Sequence, residues 1–156
     1  DATQLSEETI NLNFVKSVDY GSFKSCKFVH LFIPKHINLS NGGYCWNDNR
    51  ELLDLELEEG HTYIPDGLVT YCSNLKTAIV PSTVTKIGIN VFHQCQKLLT
   101  IVMKPIVPPE LDTDLGYAVN FKLYVPDESV ESYKMANVWS KYITKIYPLS
   151  SKPTES

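Results

Sequence analysis

Cysteine and histidine are the residue types in this chain that could bind a metal or form crosslinks. The 156 residues include four of each. No C-x-x-C pair occurs and no two histidines stand at the spacing of zinc ligands, so we expect neither a metal site nor a cofactor. Surface or turn positions are expected for all four histidines, which are His30, His36, His61 and His93.

Motifs of nucleophilic or nucleotide-dependent catalysis are also missing. The chain has no G-x-S-x-G, no Walker loop and no G-x-G-x-x-G. Glu110, Asp112 and Asp114 form an acidic loop. This loop could bind calcium or could simply be solvated, and we favour the solvated loop. We therefore predict that the chain is not an enzyme.

Composition and charge narrow the class of partner. Eighteen Asp and Glu against fourteen Lys and Arg give a net charge of −4, and no basic run occurs. This balance argues against binding to nucleic acid. The apolar fraction of 43% is typical of one folded globular domain.

A repeat of 23 residues organises the chain. One column of the repeat holds Cys26, Asn49, Cys72 and Cys95, and the column three residues later holds Val29, Leu52, Leu75 and Leu98. The motif L-x-x-L-x-L ends in strand-like alternation, as at Leu52, Leu55 and Leu57. Such coils bury their apolar side by stacking on each other. The alternative is an ordinary α+β domain whose apolar residues happen to align.

The repeat predicts where the cysteines lie. Cys26, Cys72 and Cys95 should share one buried column, in which Cys72 and Cys95 are one coil apart and close enough to bond. A disulfide between these two stays open, and free buried thiols are favoured.

The residues between the buried leucines should face outward from the concave side of the sheet, where solenoids commonly bind ligands. We expect a ligand-binding surface of three columns, in which the middle coils contribute Leu53, Asp54, Glu56, Lys76, Thr77, Ile79, Leu99, Thr100 and Val102. The same columns assign the first and last coils His30, Leu31, Ile33, Lys122, Leu123 and Val125. Alternatively, a terminal helix or the stretch 104–120 covers part of this strip.

Two stretches resemble a known family. Residues 80–98, VPSTVTKIGINVFHQCQKL, resemble the BspA-like leucine-rich repeat, I-P-x-x-V-T-x-I-G-x-x-A-F-x-x-C-x-x-L. From Phe121 onward, FKLYVPDESVESYK, then WSKY and IYPL, are similar to the endings of many bacterial members. We read this ending as a cap with a helix over 127–138, begun by Asp127, while Trp139, Tyr142 and Ile143 cover the last coil.

The predicted fold is a leucine-rich-repeat solenoid of the α/β class, with mostly parallel β-strands and an irregular convex side. It has about four 23-residue coils and a C-terminal α/β cap. The expected divisions are a flexible N-terminus at 1–9, repeats at 10–103, an irregular connection at 104–120 that loops outward, a cap at 121–149 within the same domain, and a flexible tail at 150–156.

The resemblance implies a non-enzymatic, adhesin-like bacterial protein that is secreted or held at the cell surface. It would bind a protein ligand, such as a host matrix or cell-surface protein, as a monomer. An outer-membrane lipoprotein with its lipid anchor upstream of Asp1 fits this reading, because a chain that does not begin with Met looks trimmed. The alternative is a carbohydrate-associated accessory protein, with stacking platforms from Tyr44, Trp46, Tyr71 and Tyr117, although Trp46 falls in a core column.

Overall fold

The computed structural model describes residues 11–118 and 120–154. The predicted flexible N-terminus at 1–9 lies outside the described residues. A parallel main sheet has the strand order β1-β2-β4-β6-β8-β9, and a second parallel sheet has the order β3-β5-β7. The strands are β1 (His30–Ile33), β2 (Asp54–Leu57), β3 (Tyr63–Ile64), β4 (Thr77–Val80), β5 (Lys86–Ile87), β6 (Thr100–Met103), β7 (Glu110–Leu111), β8 (Lys122–Val125) and β9 (Ile146–Pro148).

Each coil of the solenoid contributes one strand to the main sheet. In β2 and β4 every second residue is buried, as the alternation in the sequence predicts. Leu55, Leu57, Ala78 and Val80 point into a continuous apolar core, where each is at most 2% exposed. The fold is therefore the predicted leucine-rich-repeat solenoid, in which neighbouring coils bury each other's apolar residues.

The turn side, opposite the main sheet, carries its own hydrogen-bond ladder. The backbone N–H of Tyr44 donates to Asp66 O at 2.7 Å, and that of Tyr71 donates to His93 O at 2.8 Å. Gln94 N donates to Tyr117 O at 3.0 Å in the same way. Bonds from coil to coil thus satisfy the backbone of a side that contains turns rather than strands.

The stretch 104–120 does not loop outward, and that expectation is wrong. Within it, β7 pairs in parallel with β5, and Phe92 N donates to Leu115 O at 2.8 Å. Leu111 and Leu115 are buried at 5% and 1% exposure. These two leucines supply inward-facing side chains of a further coil, so the stretch packs against the preceding coil despite its prolines.

The C-terminal cap closes the end of the core. Its α-helix α1 (Val130–Met135) is shorter than the predicted 127–138, because Asp127–Ser129 form a 3-10 turn and the backbone of Ala136 is extended. The cap continues in a 3-10 segment, Trp139–Lys145, and a short turn, Leu149–Ser151.

Three aromatic side chains of the cap bond to the 104–120 coil. Tyr133 Oη donates to Pro105 O at 2.7 Å, Trp139 Nε1 donates to Pro109 O at 2.8 Å, and Tyr142 Oη accepts from Leu115 N at 2.8 Å. Trp139 and Tyr142 cover the coil as predicted, whereas Ile143 is 52% exposed. Asp127 makes no capping bond at the helix, and its carboxylate accepts from Ser150 N at 3.0 Å instead.

Candidate functional site

The outward-facing side chains of the main sheet form one continuous surface, which we call the sheet surface. The strand register arranges it in two rows that cross the strands. One row is His30, Asp54, Thr77, Thr100 and Lys122, and the other is Phe32, Glu56, Ile79, Val102, Tyr124 and Tyr147. Neighbours within a row lie about 4.8 Å apart, the spacing of paired strands.

The structure brings eight of the nine predicted site residues together on this surface. Asp54, Glu56, Thr77, Ile79 and Thr100 belong to the two rows, and Leu53, Lys76 and Leu99 lie just before the strands, linked from coil to coil by backbone hydrogen bonds. Leu99 is 55% exposed. Val102 is the exception, since it is only 5% exposed and pairs with the large, equally buried Tyr124.

The first and last coils contribute different residues from those predicted. Leu31, Ile33, Leu123 and Val125 were expected on the surface, but each is buried at 2% exposure or less. Asp54 pairs with His30 rather than Leu31, and Thr100 pairs with Lys122 rather than Leu123. A shift of one residue turns every side chain of a strand to the opposite face, so Phe32 is 49% exposed on the sheet surface, whereas Tyr124, in the same row, is only 4% exposed.

Charge changes along the sheet surface. Asp54 and Glu56 make the β2 position acidic, and Asp54 also contacts His30 Nδ1. Thr77, Ile79 and Thr100 make the centre uncharged, with Lys76 at its margin. At the far side, Lys122 Nζ lies 5.3 Å from the centroid of the Tyr147 ring, a cation–π geometry.

Comparison with known families agrees with this architecture. Residues 2–103 match the BspA type leucine rich repeat region in six copies, compared with the four coils that the 23-residue period predicts. The chain belongs to the BspA-type leucine-rich repeat family. No curated protein matches the chain. Proteins with BspA-type repeats are typically bacterial surface proteins, and such repeats generally mediate protein–protein interactions and are typically not enzymes.

The Cys/Asn column of the BspA-type repeat joins adjacent coils. Asn49 Nδ2 donates to Phe23 O at 2.9 Å and to Trp46 O at 2.8 Å. Cys72 Sγ donates to Trp46 O at 3.4 Å, and Cys95 Sγ donates to Val69 O at 3.2 Å. The same position in three successive coils therefore bonds to a carbonyl of the preceding coil, a structural role.

The cysteines of this BspA-type chain are free thiols. Cys72 and Cys95 are fully buried, as is Cys45, whereas Cys26 is half-buried. Burial raises the pKa of the Cys72 thiol to about 12 and that of Cys45 to about 11. Both stay protonated at neutral pH, and protonated thiols are poor nucleophiles and metal ligands.

Two turn positions of the BspA-type coil have left-handed backbone, which the period alone did not reveal. The first holds Gly21, Tyr44, Gly67 and Asn90, and the second holds Ser25, Asp48, Tyr71 and Gln94, all with φ between 53° and 68°. Glycine and asparagine tolerate this region, and their recurrence at one repeat position was a signal for it. A Cβ on Gly67 would also lie 2.2 Å from the Tyr44 ring.

The carboxylate oxygens of Glu110 and Asp114 in the acidic loop contact donors within the protein. Glu110 Oε1 lies 3.8 Å from Lys86 Nζ, and Asp114 Oδ1 accepts from Gly116 N at 2.7 Å. Among residues 11–118 and 120–154, no three His, Cys, Asp or Glu side chains are grouped so that they could hold a metal ion.

One histidine lies elsewhere than predicted. His61 is only 6% exposed, and its Nε2 lies 2.9 Å from Pro34 O and 3.2 Å from Ile33 O. It therefore bridges two coils from inside, because a buried imidazole N–H needs an acceptor.

The helices of the BspA-type chain are short. Within the described part of the chain, none has the length and apolar character required to cross a bilayer.

Proposed function

We propose that this chain is a non-enzymatic, adhesin-like binding module whose sheet surface contacts a protein ligand. The supporting observation is a surface that combines exposed apolar side chains with graded charge. Phe32 is 49% exposed and Leu99 is 55% exposed, and both lie beside polar residues of the two rows. Exposed apolar groups bordered by polar ones are typical of protein contact sites.

The charge distribution suggests how such a ligand lies. An extended segment that crosses the strands would place a cationic group over Asp54 and Glu56. Its centre would contact Ile79 and Leu99, and a carboxylate at its other end would meet Lys122. This arrangement sets the direction of the ligand, because in the reverse orientation like charges would face each other and repel.

We further propose secretion or display at the bacterial cell surface, with a lipid anchor upstream of this chain and a host matrix or cell-surface protein as the ligand. Membership of the BspA-type family supports this location. We propose that the module acts as a monomer, with the repeats and the cap as one domain.

The experiment is a binding screen of the purified domain against host matrix and cell-surface proteins, followed by charge variants. Thr77→Arg and Ile79→Arg should each weaken binding about tenfold or more, because each places a long cation in the uncharged centre. Gln96→Arg, on the turn side, is the matched control and should bind like the wild type. Circular dichroism verifies that each variant is folded.

Two results would count against the proposal. One is failure of the wild-type domain to bind any protein in the screen. The other is a bound ligand whose affinity is the same for the wild type, Thr77→Arg and Ile79→Arg.

A further inference from the structure

The turn side carries aromatic rings that the sheet surface does not involve. Tyr71 is 52% exposed and Tyr117 is 62% exposed, and the backbone ladder places His93 between them. The Tyr71 and His93 rings meet edge to face with centroids 5.8 Å apart, and Tyr117 N donates to His93 Nδ1 at 3.4 Å. Three rings thus follow one another across neighbouring coils.

The other aromatic residues considered from the sequence have structural roles. Trp46 is 0% exposed and stacks on Phe23 at a centroid distance of 5.2 Å. Tyr44 packs against Gly67 and lies 5.5 Å from the Tyr20 ring. Of the four tyrosine and tryptophan platforms predicted from the sequence, Tyr71 and Tyr117 are therefore the two that are largely exposed.

Tyr71 has an unfavourable backbone conformation. Its φ is 62°, at a position where other coils have the smaller or more polar Ser25, Asp48 and Gln94. Left-handed backbone is unfavourable for a residue with a bulky side chain. Because the ring is half exposed, burial offsets only part of this cost.

The groups beside the rings are hydrogen-bonding amides. Gln96 Nε2 donates to Gln94 Oε1 at 3.1 Å, and Gln94 is the residue whose N–H bonds to Tyr117 O. Amides both donate and accept, which suits hydroxyl groups. Aromatic faces suit the C–H faces of sugar rings, so the combination is suited to a glycan.

We propose that Tyr71, His93 and Tyr117 form a binding strip for a neutral, extended polysaccharide, separate from the sheet surface. Tyr71 and Tyr117 stand two coils apart, which corresponds to about 10 Å at the spacing of stacked strands. In a β-1,4-linked glucan, alternate sugars present the same face, so the two tyrosines would contact alternate sugars and His93 the one between them.

The test is affinity electrophoresis of the folded domain in native gels, with and without hydroxyethylcellulose, a soluble β-1,4-glucan. The wild type should be retarded in the gel that contains the polysaccharide. Tyr71→Asn and Tyr117→Ala should each weaken the retardation about fivefold. Asparagine tolerates left-handed backbone, so Tyr71→Asn should show this weaker retardation while its melting temperature stays equal or rises.

Two controls separate this strip from other surfaces. Tyr20→Ala removes an exposed tyrosine outside the strip and should leave the retardation unchanged, as should Ile79→Arg on the sheet surface. The proposal is overturned if the wild type runs equally in both gels, or if the two strip variants are retarded like the wild type. It is equally overturned if those variants lose binding to a protein and keep their retardation by the glucan.

Discussion

At the scale of single residues, the Cys/Asn column shows how one side chain can hold two coils together. Asn49 satisfies carbonyls of Phe23 and Trp46 with one amide nitrogen, and a cysteine in the next two coils bonds to one carbonyl each. Asn49 is 0% exposed, and its bond to Trp46 O is buried, whereas its bond to Phe23 O is partly buried. Loss of the amide would leave Trp46 O with the weak thiol donor of Cys72 and Phe23 O with a long bond from Cys26 N.

Asn49→Ala should therefore lower the free energy of unfolding by about 2–3 kcal/mol, since two carbonyl acceptors lose their amide donor and keep only weaker ones. Asn49→Cys should cost clearly less, because a thiol at this position can bond to Phe23 O as Cys72 bonds to Trp46 O. Urea unfolding measures both, with the exposed Asn41→Ala as control. A midpoint for Asn49→Ala equal to that of the wild type would contradict the structural role of this column.

At the scale of elements, side-chain clamps connect the loops that follow the main strands. Glu59 Oε1 accepts from Ser82 N at 3.0 Å, and Glu59 Oε2 accepts from Ser82 Oγ at 2.7 Å. These two bonds hold the pKa of the Glu59 carboxyl below its usual value, and the bond from the backbone N–H has the larger effect. The clamp thus stabilises the charged form in the folded state.

This clamp makes stability depend on pH in a defined direction. Because the folded pKa lies below the unfolded one, the stabilisation is complete above the unfolded pKa and is lost as pH falls through the folded pKa. Glu59→Gln should lower the free energy of unfolding at pH 7 by less than about 1 kcal/mol, since the pair is exposed.

The difference between Glu59→Gln and the wild type should disappear below the folded pKa. Denaturant unfolding between pH 7 and pH 2 measures it, and Glu51→Gln, an exposed glutamate elsewhere, is the control. A difference between Glu59→Gln and the wild type that stays constant over this range would exclude the carboxylate as its source.

At the scale of the whole molecule, the stability of each coil depends mainly on the adjacent coils, because each coil packs mainly against its neighbours. The last coil needs a cover for its core, and Trp139 provides it with a ring that is 1% exposed and an N–H bonded to Pro109 O. The edge-to-face contact of Trp139 with Tyr133, at 5.1 Å, fixes this ring in the cap.

Trp139→Ala should cost about 3–5 kcal/mol and should loosen the C-terminal coils first. Amide hydrogen exchange should accelerate from Leu111 to Val125 before it does so from Phe28 to Leu57. Met135→Ala changes a cap residue that is 82% exposed and should leave exchange as in the wild type. Equal acceleration along the entire described chain would show that the domain unfolds as one unit instead.

The sequence by itself determined the repeat, the strands and the buried Cys/Asn column of the middle coils, and the resemblance to the family, whereas Cys26 in the same column is only half-buried. Period and alternation are local properties of the sequence. They directly predict that Asp54, Thr77 and Thr100 share one outward-facing row. Where coils differ in length, the period does not say which residue faces outward.

The tertiary structure alone decided the outward position of Phe32, the burial of Val102, and the packing of 104–120 as a coil. It also decided that His93 lies between Tyr71 and Tyr117, which belong to different coils. The physical reason is that a one-residue difference in a loop reverses the faces of the next strand, and only the pairing of that strand with its neighbour shows how the difference is absorbed.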